Sequence, residues 1–378
     1  MRSKKYQKIY KNPQVQPAGG AGPSQDSRKK TALIVVLVIL LAIIAAAGGA
    51  WIYVNGLLDN VNRDTSQMTK KELSCVDVDG YVNIALLGVD SRSMSKKNLK
   101  DNNTDCIIVV SLNEKSKDVN LISIYRDTYT KIGDTTTYQK INSAYTYGGA
   151  KMAMQTINQT LDIDVEKYVL FNFKMVSDLV NSVGGITVNV KEAEIEELNK
   201  YTAQTAHNIG QKKYKLVKKP GKQTLEGVQA VSYGRIRKGV GDDFQRTSRM
   251  RLVIKKVLAK LKKSDYSTII KTMKLCLKQC RTNLSNNDLI GLAQRLSGFQ
   301  IKKSVGFPYT VTTGDLNGVS YVFPADLSAN IVKLHKQMFG QEDYQVSDTA
   351  QAISDQIMAI AGSQGSDSSQ LGKNFEGQ

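Results

Sequence analysis

Residues 81–90, YVNIALLGVD, open the series of short apolar segments that decides the fold. Two similar segments, DCIIVVSL (105–112) and VNLISIY (119–125), follow after polar residues, and a stretch with helical periodicity, residues 142–161, comes next. Alternation of strands and helices is typical of a mixed or parallel sheet with helices on both faces. The sequence therefore predicts an α/β domain.

Later segments continue this alternation. We predict further strands at 167–173, 184–190, 303–311 and 318–323, and helices at 173–183, 224–233, 244–262, 285–296 and 326–339. One domain, residues 79–340, is the simplest division of this region. The polar residues 341–378 are predicted to form a disordered C-terminal tail.

The net charge of the chain favours an anionic partner. Lys and Arg number 52 against 34 Asp and Glu, a net charge of +18, which suits nucleic acid, a lipid surface or a phosphorylated substrate. Eight basic residues and one acid give residues 1–30 a local net charge of +7. This segment is also rich in Pro, Gly and Ser and poor in apolar residues, so we predict a disordered basic tail.

An uncharged apolar stretch, residues 31–55, follows the basic tail. About 20 such residues span a bilayer, whereas the apolar core of a signal peptide has only about 7 to 15. We therefore predict a transmembrane signal-anchor helix; a buried helix of a soluble protein is the alternative, although it seldom runs this long without a polar face. The basic residues 28–30 on its N-terminal side predict a cytoplasmic N-terminus.

This orientation places the rest of the chain outside the cytoplasm. We expect a single-pass protein of the cell membrane, with residues 56–78 as a polar stalk that carries an extracytoplasmic domain. Only the tail, residues 1–30, would face the cytoplasm. A DNA-binding regulator is therefore disfavoured, and no nucleic-acid partner is predicted.

Several other kinds of site are excluded or disfavoured by composition. Only His207 and His335 are present, so a His-rich metal centre is excluded and a Ser/His/Asp hydrolase would depend on one of these two. The chain has no GxxxxGK[ST] phosphate loop, which disfavours a P-loop enzyme. The four cysteines form no CxxC pair and lack zinc-ligand spacing, so they are ordinary or paired residues: Cys75, Cys106, Cys276 and Cys280.

Two aspartates flank predicted strands and could form a metal site. Asp90 ends the apolar segment NIALLGV, and Asp105 opens the next strand. Ligand sites on open α/β sheets form where strands end. Two carboxylates at such an edge suit Mg²⁺, which takes one or two carboxylates and completes its shell with water and phosphate oxygens. A turn or capping role is the alternative for each aspartate alone.

Basic residues near other strand and helix ends could bind phosphate. Arg126 with Asp127 directly follows a strand, where an arginine can clamp phosphate through two hydrogen bonds; a surface ion pair is the alternative. Lys140 adds a positive group at the entry to a helix. A denser cluster lies in SYGRIRKGVGDDFQRTSRMR (232–251), with Arg235, Arg237, Asp243, Arg246, Arg249 and Arg251. These groups could surround a pyrophosphate, although a solvated basic helix face is the alternative.

Seven motifs in order resemble the LytR-CpsA-Psr family of bacterial cell-envelope proteins. They are LLGVDSR (86–92), NTDCIIVVSL (103–112), SIYRDT (123–128), KINSAY (140–145), FNFKMVSDLVNSVGGITVNV (171–190), LEGVQAVSYGRIR (225–237) and DDFQRTSR (242–249). The resemblance covers about residues 80–260. It implies an α-β-α sandwich around a mixed central sheet, with an apolar pocket for a prenyl chain.

The resemblance also implies an activity and residue roles. The activity is transfer of a glycopolymer from a polyprenyl-pyrophosphate carrier to peptidoglycan, forming a phosphodiester, by an enzyme held beside membrane lipid. Asp90 and Asp105 would hold Mg²⁺. The pyrophosphate-binding set would comprise Arg126, Lys140, Arg235, Arg237 and Arg246 as direct contacts, Asp243 as the residue that orients the arginines, and Arg92 and Arg249 close by. Catalytic roles fall on Asp90, Arg126 and Arg237, and the general base would be Asp90 or another carboxylate near the metal.

Three positions depart from the family pattern. Tyr125 stands where Pro commonly precedes the Arg-Asp pair, Asn103 where Arg is frequent, and Met250 where Gln is usual. The last two remove polar contacts near the expected head group, so affinity or substrate preference would differ from the family's. The sequence does not identify the glycopolymer. A non-catalytic envelope regulator or polyprenyl-phosphate-binding scaffold is the alternative to a transferase.

Overall fold

The computed structural model describes residue 56 and residues 62–64, 66, 68–91, 99, 102–236, 243–295 and 300–363. The chain divides into residues 1–57 and a second unit, residues 58–378, which holds every element given below. The predicted tail 1–30 and membrane span 31–55 lie outside the described residues. Within the described ranges, no helix has both the length and the apolar character needed to cross a membrane.

A mixed sheet lies at the centre of the second unit. The strands in the described ranges are β1 (Asn62–Arg63), β2 (Tyr81–Val89), β3 (Thr104–Asn113), β4 (Asp118–Ile124), β5 (Tyr129–Lys131), β6 (Tyr138–Lys140), β7 (Val165–Asn172), β8 (Ile186–Val190), β9 (Gly221–Leu225), β10 (Arg281–Thr282), β11 (Gln300–Phe307), β12 (Val311–Leu316) and β13 (Val319–Pro324). Seven of them form the sheet in the order β1-β10-β7-β2-β3-β4-β11. β2 pairs antiparallel with β3 and parallel with β7, which confirms the predicted mixed sheet.

Helices cover both faces of this sheet, as predicted. The helices are α1 (Ala144–Leu161), α2 (Phe173–Ser182), α3 (Ile195–Ile209), α4 (Gly227–Tyr233), α5 (Asp243–Leu261), α6 (Tyr266–Gln279), α7 (Asn286–Arg295), α8 (Leu327–Leu334) and α9 (Asp348–Ser363). Alternate residues of β3 face opposite sides. Val109 belongs to the core that includes α1, α8 and α9, whereas Ile108 packs in a smaller cluster with residues of α5 and α7.

A second apolar cluster surrounds the β8–β9 hairpin. Its buried residues come from the hairpin and from α2 to α5, with Leu198 and Ala230 among them. A helix was predicted over 224–233, but residues 221–225 instead form β9, which pairs with β8. The helix begins at Gly227 because Glu226 and Gln229 form a reciprocal capping box there.

The predicted stalk, residues 56–78, is wrong in its later part. β1 pairs with β10, Leu73 is fully buried, and Val78 is 2% exposed in the main core. The segment is polar overall, so its average composition does not reveal the two apolar side chains, Leu73 and Val78, that pack into the core. These residues belong to the folded domain.

The predicted disordered tail, residues 341–378, is also wrong in part. Residues 348–363 form α9, and Ala350, Ile353 and Ile357 are buried in the main core. Their spacing of three and four residues is that of one helix face. Polar residues dominate the composition of residues 341–378 as a whole, which is why the segment resembles a tail.

Candidate active site

The two predicted metal-binding aspartates lie at one edge of the central sheet. β2 runs antiparallel to β3, so the residue after β2 meets the start of β3. The register steps from Gly88 opposite Cys106 to Val89 opposite Thr104, and this leaves Asp105 as the extra residue of a bulge. A bulge re-aims a side chain at the end of a ladder. Asp90 is exposed directly after β2, and Asn208 at the end of α3 lies 3.4 Å from both of its carboxylate oxygens.

Arg126 lies in contact with the Asp105 carboxylate. It follows β4, the strand next to β3 in the sheet, and its Nη1 donates to Oδ1 of Asp105. Its Nε is 3.7 Å from Oδ2 of Asp127. Only about a fifth of the Arg126 side chain is exposed, so two carboxylates orient a partly desolvated guanidinium at the sheet edge.

Lys140 is brought beside Arg126 by backbone hydrogen bonds. The amide of Asn142 donates to the carbonyl of Arg126 at 3.2 Å, which places the KINSAY segment against the turn after β4. The Nζ of Lys140 lies 3.2 Å from Oδ1 of Asp127 and 5.4 Å from the ring centroid of Tyr321. Asp127 therefore holds two cations next to each other.

Arg246, in the first turns of α5, approaches Asp105 from the other side. Its Nη2 donates to the backbone carbonyl of Asp105 at 3.0 Å and lies 3.9 Å from the carboxylate Oδ1. Its side chain is almost fully buried. Arg246 and Arg126 thus converge on one aspartate although 120 residues separate them in sequence.

Arg235 lies in an aromatic cradle near the same edge. Its guanidinium is 4.8 Å from the ring centroid of Phe173 and 5.1 Å from that of Tyr201, and its Nη1 donates to Oγ1 of Thr205 at 2.8 Å. Burial lowers the pKa of Arg235, while the charge of Asp90 opposes this shift. The guanidinium nevertheless stays charged near neutral pH.

Arg249 has a different environment from the predicted one. Its Nε and Nη2 donate to Oε1 of Glu194 at 3.1 and 2.9 Å, and its Nη1 donates to the carbonyl of Ile236. Both members of the ion pair are buried. These contacts fix α5 to the segment before α3, which gives Arg249 a structural role; its predicted place beside the pyrophosphate stays a prediction.

The remaining predicted residues are not placed. Arg92 and Arg237 lie outside the described residues. Asp243 is the first residue of α5, and its side chain is not described.

Sequence reasoning missed the contribution of α3 to the site. Thr205 fixes Arg235, and Asn208 approaches Asp90. Both residues are polar positions on a helix more than 100 residues after Asp90. No motif marks them, so only the fold reveals the contact.

Among the described residues, no three Asp, Glu, His or Cys side chains cluster as a metal site. A cation at the edge would therefore rely on the two carboxylates of Asp90 and Asp105. Carboxylate oxygens are the ligands that Mg²⁺ prefers, and this ion commonly keeps several waters and binds substrate phosphates. The donor set fits a magnesium ion that is completed by substrate.

The sequence matches the LytR_cpsA_psr family over residues 50–338. The chain belongs to this family. The resemblance derived from seven ordered motifs is confirmed, and the mixed sheet with helices on both faces agrees with solved members.

Two curated relatives and one solved structure illustrate the likeness. The polyisoprenyl-teichoic acid–peptidoglycan teichoic acid transferase TagU of Bacillus licheniformis is 30% identical over 285 residues, or 73% of this chain and 82% of TagU. Biofilm regulatory protein A of Streptococcus mutans is 31% identical over 271 residues, or 68% of this chain and 63% of that protein. The structure of TagT bound to LIIa-WTA aligns with a TM-score of 0.54 at 25% identity, covering 72% of this chain and 94% of that chain. The TagU name agrees with the predicted enzyme class, a glycopolymer transferase.

Proposed function

We propose that this protein transfers a glycopolymer from a polyprenyl-pyrophosphate carrier to a cell-wall acceptor, peptidoglycan, forming a phosphodiester. The observation that carries the proposal is the convergence of Arg126 and Arg246 on Asp105 at the sheet edge. A pyrophosphate needs several cations held at fixed positions, and this edge supplies them. Family membership and the name of TagU support the same enzyme class.

The reaction requires an acceptor hydroxyl to attack the phosphorus that carries the glycan. The bond between that phosphorus and the bridging oxygen breaks, the prenyl phosphate leaves with the electron pair, and the hydroxyl proton passes to a base. Negative charge grows on the departing phosphate, where Arg126, Arg235 and Arg246 stabilise it. Because carboxylates, a hydroxyl and aromatic rings already hold these cations, little reorganisation is needed.

We propose Mg²⁺ as the cofactor, held by Asp90 and Asp105. When bound, this ion would reduce the repulsion between the pyrophosphate and the incoming hydroxyl. Asp105 also orients two arginines, so the same carboxylate would link the metal to the cation cluster. Asp90, with an exposed side chain, is our candidate general base.

An apolar surface next to the cations suits the lipid tail of the carrier. Leu86, Cys106 and Val110 are only partly buried where the sheet faces α5 and α7. A small pocket at this interface is lined by polar and charged residues of the site together with apolar residues of β3, β4 and α5: Asp105, Cys106, Ile107, Ile108, Ile124, Arg126, Thr247 and Met250. Charged groups thus lie at one end of an apolar surface, as an amphiphilic substrate requires.

We further propose that residues 31–55 anchor the enzyme in the cell membrane with the catalytic domain outside the cytoplasm.

A second candidate function is a regulator that binds the lipid carrier without turnover. It is favoured by the name of one relative, Biofilm regulatory protein A. The same cation cluster could hold a pyrophosphate without transferring it.

A donor-turnover assay separates the two functions. The full-length protein is mixed with a labelled polyprenyl-pyrophosphate glycan, purified peptidoglycan and Mg²⁺, and released prenyl phosphate is measured. We expect release that is lost in Arg126→Ala and on chelation of Mg²⁺. Lys302→Ala, which removes an exposed ion pair with Asp118, is the matched control and should retain the rate. Tight binding of the donor without release would favour the regulator.

A further inference from the structure

A basic loop joins α3 to β9. We define residues 211–222, QKKYKLVKKPGK, as the lysine loop; it contains six lysines and no acidic residue. All six are exposed: Lys212, Lys213, Lys215, Lys218, Lys219 and Lys222. None of them belongs to the proposed pyrophosphate site.

Two apolar side chains project from the same loop. Tyr214 is 41% exposed and Leu216 is 49% exposed. Among the described residues, only four large apolar side chains are at least 41% exposed, and two of them stand two positions apart here. Exposed apolar side chains among lysines indicate a binding surface more strongly than charge alone, because lysines alone keep a basic loop solvated.

The fold holds this loop in a fixed conformation. Val217 is buried, and both its amide and its carbonyl are hydrogen bonded to the side chain of Asn199, at 2.9 and 2.8 Å. The amide of Lys215 donates to Glu226 at 3.1 Å, and its carbonyl accepts from Gln229 at 3.0 Å. These bonds draw the backbone at positions 215 and 217 inward.

Tyr214 and Leu216 therefore stay exposed. Leu216 lies between these two tied positions and Tyr214 directly precedes them, and both side chains face solvent. The entropy cost of ordering the loop is already met by folding, which favours binding through it. The loop also begins three residues after Asn208, which contacts Asp90, so it starts beside the candidate active site.

We propose that the lysine loop is a membrane-contact surface for an anionic lipid bilayer. Lysines gain from phosphate headgroups, while Tyr214 and Leu216 enter the interfacial region, where tyrosine is favoured. A solvated polyanion such as a free glycopolymer would pair with the lysines but offers no apolar phase to the other two side chains. The inference rests on the proposed function in one respect: the membrane contact would orient the active site toward a bilayer that carries the lipid-linked donor.

A tryptophan probe tests this contact directly. In the full-length chain, Trp51→Phe removes the single tryptophan and Tyr214→Trp places one in the loop. The protein is reconstituted into vesicles of phosphatidylglycerol and phosphatidylcholine that contain brominated lipid. We expect a blue-shifted, quenched emission that weakens in pure phosphatidylcholine vesicles. Met358→Trp in the same background is the matched control, since Met358 is 38% exposed on α9 and should remain unquenched.

Equal quenching of the two probes, or none at Tyr214→Trp, would overturn the proposal. An emission change caused by a soluble glycerol-phosphate polymer, with no quenching by lipid, would overturn it in favour of a glycopolymer contact.

Kinetics separate this inference from the proposed function. For Tyr214→Ser/Leu216→Ser, we expect the apparent KM for donor in anionic vesicles to rise about tenfold with unchanged kcat. With donor dissolved in detergent, both constants should match wild type. If the double variant has the wild-type KM in vesicles as well as in detergent, the membrane contact alone is refuted. If wild type shows no turnover in either assay, the proposed function is refuted.

Discussion

Asp105 is the residue on which the candidate site is centred. Its carboxylate accepts from Arg126, its backbone carbonyl accepts from Arg246, and its side chain remains a quarter exposed. The bulge in β3 supplies this geometry, since a regular ladder would place residue 105 opposite a partner. One aspartate therefore orients two cations and keeps oxygen surface open toward a ligand.

The substitution Asp105→Asn tests this arrangement. It keeps the size of the side chain but removes the charge that orients both arginines, so turnover should fall by at least about 100-fold. Prenyl phosphate release measures the rate, and circular dichroism checks that the fold persists. Asp118→Asn, which breaks the exposed pair with Lys302, is the control and should keep its rate. Equal rates in both variants would contradict the role of Asp105.

Arg246 and Arg249 show why residue roles are only partly predictable from sequence. They are three positions apart on α5 and were both expected to contact pyrophosphate. In the structure, Arg246 approaches Asp105 while Arg249 pairs with buried Glu194. The partner of each arginine comes from a distant segment, so the spacing on the helix could not distinguish them.

The variant Glu194→Gln tests the structural role of Arg249. It leaves the buried guanidinium uncompensated, and the free energy of unfolding should fall by about 3–5 kcal/mol. Urea denaturation measures this loss. If the role of Arg249 is structural alone, turnover per folded molecule should change only a few-fold. A neutral effect on stability together with lost turnover would return Arg249 to the substrate site.

Elements with continuous apolar runs were predictable, and elements held by single contacts were not. β2, β3 and β4 each bury most of their residues, so their sequences identify them. β1 has only two residues, and in β9 exposed residues alternate with partly or fully buried ones. Both strands depend on pairing with strands that are distant in sequence. The helix α9 has a regular apolar face, but the polar composition of residues 341–378 as a whole suggested a tail. Composition averages over the periodicity that reveals such a helix.

A pair of neighbouring residues tests whether α9 belongs to the core. Ile357 is fully buried, whereas Met358 is 38% exposed. Ile357→Ala should lower the free energy of unfolding by about 2–5 kcal/mol. Met358→Ala should remain within about 0.5 kcal/mol of wild type. Urea denaturation of both variants checks this, and equal stability would mean that α9 is dispensable.

The short π-helix that follows α8, His335–Phe339, should make stability depend on pH. His335 is buried against Tyr344 and near Asp162, its Nε2 is 3.1 Å from the carbonyl of Leu161, and burial lowers its pKa. As pH falls below about 6.5, the unfolded chain takes up a proton before the folded chain does. Stability should therefore decline from pH 6.5 down to the lowered pKa. His335→Gln should flatten this decline in urea titrations, whereas exposed His207→Gln should retain it; identical curves would contradict the assignment.

At the scale of the whole molecule, the fold places the charged candidate site, an apolar face and the lysine loop close to one another. The cations of the sheet edge adjoin the partly buried apolar face beneath α5, and the lysine loop begins near the same edge. Ordered motifs were sufficient to predict the family and the mixed sheet. The contribution of α3 and the shape of the lysine loop depend on tertiary contacts that no local pattern encodes.

Transfer of the phosphate-linked glycan is the central claim, and product stoichiometry tests it most directly. The full-length protein is incubated with donor labelled in both phosphates and with peptidoglycan, and mass spectrometry locates each phosphate. One phosphate should leave on the prenyl carrier and one should join glycan to peptidoglycan in a phosphodiester, in equal amounts. Donor that stays intact on the protein, or glycan that appears without its phosphate, would contradict the claim.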